Sequence, residues 1–194
     1  MTTTTPAPAP TPRRDFGDGI PVPAHRHSNG GGWVANTAHV ADTAWVGPDA
    51  EVSGSAVVDG RAVVDGGAWV GERAVVGDRA KVSIRARVTG NAQVGGDAVI
   101  IAFAEVSGSA VVRDRAWVGG FARVTGGAWV GGDARVTEYA LVTGDTLVTG
   151  HTVIGGSERV GEDTAPAIPG PEVPPAPPVE PAGLEIDFGP ATGL

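Results

Sequence analysis

AWVGERAVVGDRAKVSIRARVTGNAQVGGD, residues 68–97, is five successive copies of one six-residue unit, Ala-x-Val-x-x-x. Outward from this stretch in both directions, Val or Ile recurs every sixth residue from Val34 to Val160, twenty-two times without a miss. Ala stands two residues before it from Ala38 to Ala140, eighteen times in a row. A short fixed period sustained this long marks a repeat architecture, not a chain that is merely rich in Ala, Gly and Val. Successive side chains of an extended backbone point to opposite sides, so Ala and Val share one side and the residue between them faces away. The other three positions are rich in Gly, Asp, Asn, Ser and Thr, which turn a chain and tolerate positive φ. Each hexad therefore predicts a short strand followed by a corner.

The unit resembles the hexapeptide-repeat left-handed parallel β-helix family, in which an aliphatic residue is often followed by Gly, with a small residue four positions on. Val-Gly-x-x-Ala occurs here at Val46, Val70, Val76, Val94, Val118 and Val130. The resemblance implies an all-β fold, a triangular solenoid of about seven coils with three hexapeptides to the coil. Its left hand comes from the resemblance alone, because parallel crossovers are ordinarily right-handed. At eighteen residues per coil, Val34 stacks under Val52, Val70, Val88, Val106, Val124, Val142 and Val160. With roughly 4.8 Å per rung the prism is about 34 Å long. The segment GGGWV at residues 30–34 narrows the resemblance to loopless bacterial and bacteriophage hexapeptide proteins that begin with a GGWV motif. Trp33 is expected to cap the N-terminal end of the prism, shielding a strand edge that would otherwise recruit another chain.

Three regions follow. Residues 1–29 are Pro- and Thr-rich without periodicity and predict a disordered N-terminal tail. Residues 30–163 are the β-helix, and residues 164–194 predict a Pro-rich disordered C-terminal tail. Near the end of that tail Leu184, Ile186 and Phe188 alternate with Glu185 and Asp187, a strand-like pattern that fits a docking peptide for a protein partner, an end cap folded back on the prism, or a frayed terminus.

Composition narrows the function classes. Aromatics make up 5% of the chain while Val and Ala dominate the apolar share, which suits a narrow interior lined by small and β-branched side chains. The net charge of −8 argues against a nucleic-acid partner and against an anionic membrane surface, since both need clustered positive charge. There are no cysteines, hence no disulfide framework and no thiolate chemistry. No signal peptide or membrane-spanning run is evident, so a cytoplasmic location is expected, or a virion if a phage encodes the chain. Lys81 is the single lysine among fourteen Lys and Arg, a bias common in GC-rich bacterial or phage genes.

With the interior committed, function falls to the outward positions. One outward column, Trp33, Glu51, Trp69, Arg87, Glu105, Arg123, Leu141, Arg159, predicts a solvated face with cross-rung ion pairs around Glu105. The second contains Val57, Val75, Val111, Trp129 and Leu147, and the third Trp45, Val63, Val99, Trp117 and Val153. These two are more apolar than a solvated sheet needs, which marks a candidate oligomer interface. Phe103, Phe121 and Tyr139, spaced by eighteen at the corner after the third column, predict a stacked aromatic ladder. Relatives in the family commonly form trimers, so a homotrimer is expected.

Many relatives are acyltransferases whose catalytic histidine and acyl-donor pocket depend on loops inserted between coils. The unbroken phase from Val34 to Val160 holds no such loop, and His39 is the only histidine on an apolar face. The γ-class carbonic anhydrases bind zinc through three histidines, but the spacing of His25, His27 and His39 departs from theirs. An ice-binding rank would need Thr-x-Thr, and Thr89, Thr125 and Thr143 are partnered by Arg87, Arg123 and Leu141. No catalytic, cofactor-binding or metal-binding residue follows. The sequence predicts a non-enzymatic structural or interaction module. The alternative is a trimeric acyltransferase-like enzyme with its site between subunits.

Overall fold

The computed structural model describes residues 11–161, and they are all-β. After β1 (Arg13–Arg14), β2 (Val22–Arg26) and β3 (Trp33–Ala35), every hexad contributes one two-residue strand, from β4 (His39–Val40) to β24 (Arg159–Val160). Strands eighteen residues apart pair in parallel, Trp33 with Glu51 and Val34 with Val52 at the start, Leu141 with Arg159 and Val142 with Val160 at the end. Three sheets result, one of ten strands and two of seven, and they form the walls of a parallel β-solenoid of about seven coils. The two carbonyls nearest each strand accept from the coil below, as where Val75 N donates to Ala92 O and Gly77 N to Val94 O, both at 2.9 Å. The interior is as the period predicts: the inward Ala of every hexad from Ala44 to Ala140 and the inward Val or Ile from Val46 to Ile154 are buried.

At each corner the residue after Val accepts from the next Ala, as Gly47 O does from Ala50 N at 2.9 Å. From Gly54 to Gly156 the second residue after each inward Val or Ile is left-handed, usually glycine. An added Cβ at Gly90 would lie 2.7 Å from Gly108 O, so packing of corner on corner reinforces the demand for glycine. Asp78 and Asp114 also stand there with positive φ, and their carboxylates accept the amides of Gly96 and Gly132 one rung on. Ile84, with φ of 55° and its side chain exposed, has no such compensation. Ile84→Gly is expected to stabilise the protein by about 1 kcal/mol, read as a raised midpoint in thermal melting, because a β-branched residue is strained in this region.

The structure corrects the expectation of an N-terminal tail running to residue 29. Within residues 11–29, β2 pairs antiparallel with β3, in register Ala24 with Ala35, His25 with Val34 and Arg26 with Trp33, and β1 pairs with β2. The physical reason is the open edge of the first coil, whose amides and carbonyls need partners. Pro21 and Pro23 read as breakers in sequence, yet Pro21 precedes the strand and Pro23, near its start, still serves through its carbonyl, which accepts the Asn36 amide at 2.9 Å. Ala24 and His27 are buried by this cap. Trp33, expected to cover the open end, instead projects from the outer face, with the Arg26 guanidinium 4.3 Å and the Arg14 guanidinium 5.7 Å from its ring centroid.

At the other end the inward small position changes from Ala to Thr146, Thr152 and Glu158. Thr146 Oγ1 donates to Thr143 O at 2.6 Å and Thr152 Oγ1 to Thr149 O at 2.7 Å, so the last coil carries polar groups that satisfy its own corners. The C-terminal tail of residues 164–194, with Leu184, Ile186 and Phe188, lies outside the described residues.

Candidate functional site

The residues singled out from sequence fall into vertical columns, one per coil. Val57, Val75, Val111, Trp129 and Leu147 line the second face with His39 and Gln93. Trp45, Val63, Val99, Trp117 and Val153 line the third with Lys81 and Arg135. Exposure is greatest at the C-terminal coil, where Leu147 and Val153 are 61% and 64% exposed.

Trp69 and Trp117 lie down on the sheet, and a glycine two residues later makes room. An added Cβ at Gly71 would meet the Trp69 ring at 2.7 Å, and one at Gly119 would meet the Trp117 ring at the same distance. Trp69 Nε1 donates to Ser53 Oγ at 2.8 Å, which fixes the indole over the first face. The tripeptide Trp-Val-Gly alone does not signal this, because it recurs at 45–47 and 129–131, where the indoles are exposed.

Phe103, Phe121 and Tyr139 form the predicted ladder, with centroids 5.1 and 5.2 Å apart and planes within 5° and 3° of parallel. Arg85 ends it, its guanidinium 5.9 Å from the Phe103 centroid. Rings stacked this closely leave no slot between them, so the ladder offers edges to a partner rather than a groove to a planar ligand.

On the first face Glu105 pairs with Arg123 at 3.2 Å, whereas Arg87 turns to Trp69, 4.6 Å from the ring centroid. Bridges at the corner between the second and third faces join Arg79 to Asp97 and Arg115 to Asp133, each at 2.7 Å. The Asp97 carboxylate holds the Arg79 guanidinium above its usual range through that hydrogen bond, but pairs this exposed add little stability.

The four histidines have separate settings. His25 Nδ1 meets Asn36 Oδ1 at 2.9 Å, and buried His27 Nε2 donates to Ala44 O at 3.2 Å. His39 is exposed on the second face, and His151 Nε2 lies 3.5 Å from Asp133. Among the described residues no three His, Asp or Glu side chains gather where they could hold a metal ion. No helix among them is long and apolar enough to cross a membrane.

A cleft of about 710 Å³ lies between the first face and the loop linking β1 to β2, and sequence reasoning missed it. Phe16, Gly17, Asp18 and Val22 form its outer wall, and Trp69 its floor. Arg87 stands one rung above Trp69 in the same column and Arg85 at one corner of the face, with Thr37, Gly54 and Glu72 at the opposite corner. The loop holds its shape through Asp15, whose carboxylate accepts the amides of Gly17 and Gly19 at 2.8 and 3.0 Å. The Gly17 bond foremost keeps Asp15 below the ordinary carboxylate range. The only signal in the sequence was Asp15-Phe-Gly-Asp-Gly19, a turn-rich stretch between two short strands. Comparison with protein-family models, with curated proteins and with solved structures returned no match.

Proposed function

We propose that the chain is a rigid structural or interaction module of the left-handed hexapeptide-repeat type, a homotrimer in which second and third faces pack between protomers. The observation that carries this reading is the pair of flat, half-apolar faces described above. Ten Val, Trp and Leu side chains occupy outward positions of adjacent walls, where a solvated parallel sheet would carry polar residues. The hexad phase supports a scaffold: from Val34 to Val160 no corner is long enough to wrap a substrate or acyl donor. A rigid rod with fixed columns presents partners at regular height intervals, which suits display and assembly.

Light scattering on the full chain is expected to give three times the 19.4 kDa protomer mass. Leu147→Ser combined with Val153→Ser should lower that mass to one protomer with the circular-dichroism spectrum unchanged. These are the most exposed apolar residues of the two faces, and an interface needs about 1,000 Å² of well-packed surface to persist. A monomeric wild-type chain would refute the assembly.

A further inference from the structure

We propose that the cleft under the N-terminal loop is a binding site for a small organic monoanion with a planar apolar body, of the aromatic-carboxylate class. It lies on the first face, away from the two faces assigned to assembly, so either reading stands without the other. Solenoid walls are flat or convex, and the loop converts part of this one into a concavity of a size typical for small-ligand sites. Its apolar surface comes from the Trp69 indole, Phe16 and Val22, which suits a flat hydrocarbon or heteroaromatic body.

The charged groups decide the rest. Among the described residues neither Arg85 nor Arg87 has a carboxylate in ion-pair range, although the chain carries a surplus of acids. Each lies near a ring, Arg87 with Trp69 and Arg85 with Phe103. The contact with Trp69 restrains the Arg87 guanidinium while leaving the in-plane N–H donors at its edge free, and that edge matches a carboxylate in two-point geometry. The acids of the cleft are placed otherwise. Asp18 accepts its own loop's Ile20 amide at 3.0 Å, and Glu72 stands across the face from Arg85. Glu72 therefore leaves the arginine side open to one negative group and repels a second at the far side, which sets a monoanion against a dianion.

Indole-3-acetate titrated into the full chain by calorimetry should bind saturably, and the neutral analogue indole-3-ethanol should bind at least ~10-fold more weakly. Arg85→Ala with Arg87→Ala should weaken indole-3-acetate by ~10-fold or more, with circular dichroism unchanged because both side chains are exposed. Benzene-1,3-dicarboxylate should bind more weakly than benzoate, and Glu72→Gln should narrow that gap. Saturable binding that the double arginine variant leaves intact would overturn the proposal. So would the absence of saturable indole-3-acetate binding up to ~10 mM, a concentration at which even a very weak site fills.

Discussion

Ala92→Phe is expected to destabilise the solenoid by at least ~3 kcal/mol and to split its melting into two transitions. Ala92 is fully buried, on the second face, between Ala74 and Ala110 of the neighbouring coils. Its amide donates to Thr89 O at 3.3 Å and its carbonyl accepts Val75 N at 2.9 Å. A phenyl ring pointed inward meets the Val and Ala side chains of the other two walls, in an interior packed without room for it. Pointing it outward requires a half-turn of the strand that breaks both of those bonds. Overpacking ordinarily costs about 1–3 kcal/mol, and this backbone, held from above and below, can relax less than most. Because each coil contacts only its neighbours, the damage divides the array instead of spreading through it. Differential scanning calorimetry reads the two transitions, and Ala92→Ser is the mild control. An unchanged melting curve in Ala92→Phe would refute the inside–outside assignment of the whole array.

The hexad period made much of this architecture legible because one rule, repeated, sets strand position, register and burial together. Once Val34 and Val52 occupy equivalent places, a slip of one residue would turn every Val outward, so no competing register survives. The ladder of Phe103, Phe121 and Tyr139 was legible for the same reason, since a spacing of eighteen is a spacing of one rung. What escaped was whatever depends on non-repeating contacts. Arg87 had Glu105 one rung away and still turned to Trp69, a choice between two modest attractions that column position cannot decide. The cleft escaped because its outer wall comes from residues 16–22, where Gly17, Gly19 and Pro21 read only as turn-forming composition leading into a short strand. The cap strand answers a need of the first coil's edge, which is not written in the local propensity of residues 22–26.

That edge makes the largest prediction about the ends of the rod. Deleting residues 1–29 should convert the protein from a defined species into concentration-dependent larger assemblies and cost at least ~3 kcal/mol of stability. The deletion strips β3 of its antiparallel partner and removes Pro23 O from the Asn36 amide. It also takes Asn29 O from the Val46 amide, and the His27 and Asn29 side chains from Ala44 O. A row of backbone donors and acceptors beside buried Val34 and Val46 is then left open, and another chain's edge is the readiest partner for it. The opposite end differs, because Thr146 and Thr152 already turn their hydroxyls onto their own corner carbonyls. Association should therefore proceed through the uncovered N-terminal ends and stop at paired rods. Light scattering across a dilution series, with thermal melting at each concentration, separates the cases. A truncated chain that keeps the full-length protein's protomer number and melting midpoint at every concentration would show that β2 is an ornament on a rod whose first coil is stable alone. Growth beyond paired rods into long fibres would show instead that the threonine-bearing last coil is no barrier to stacking.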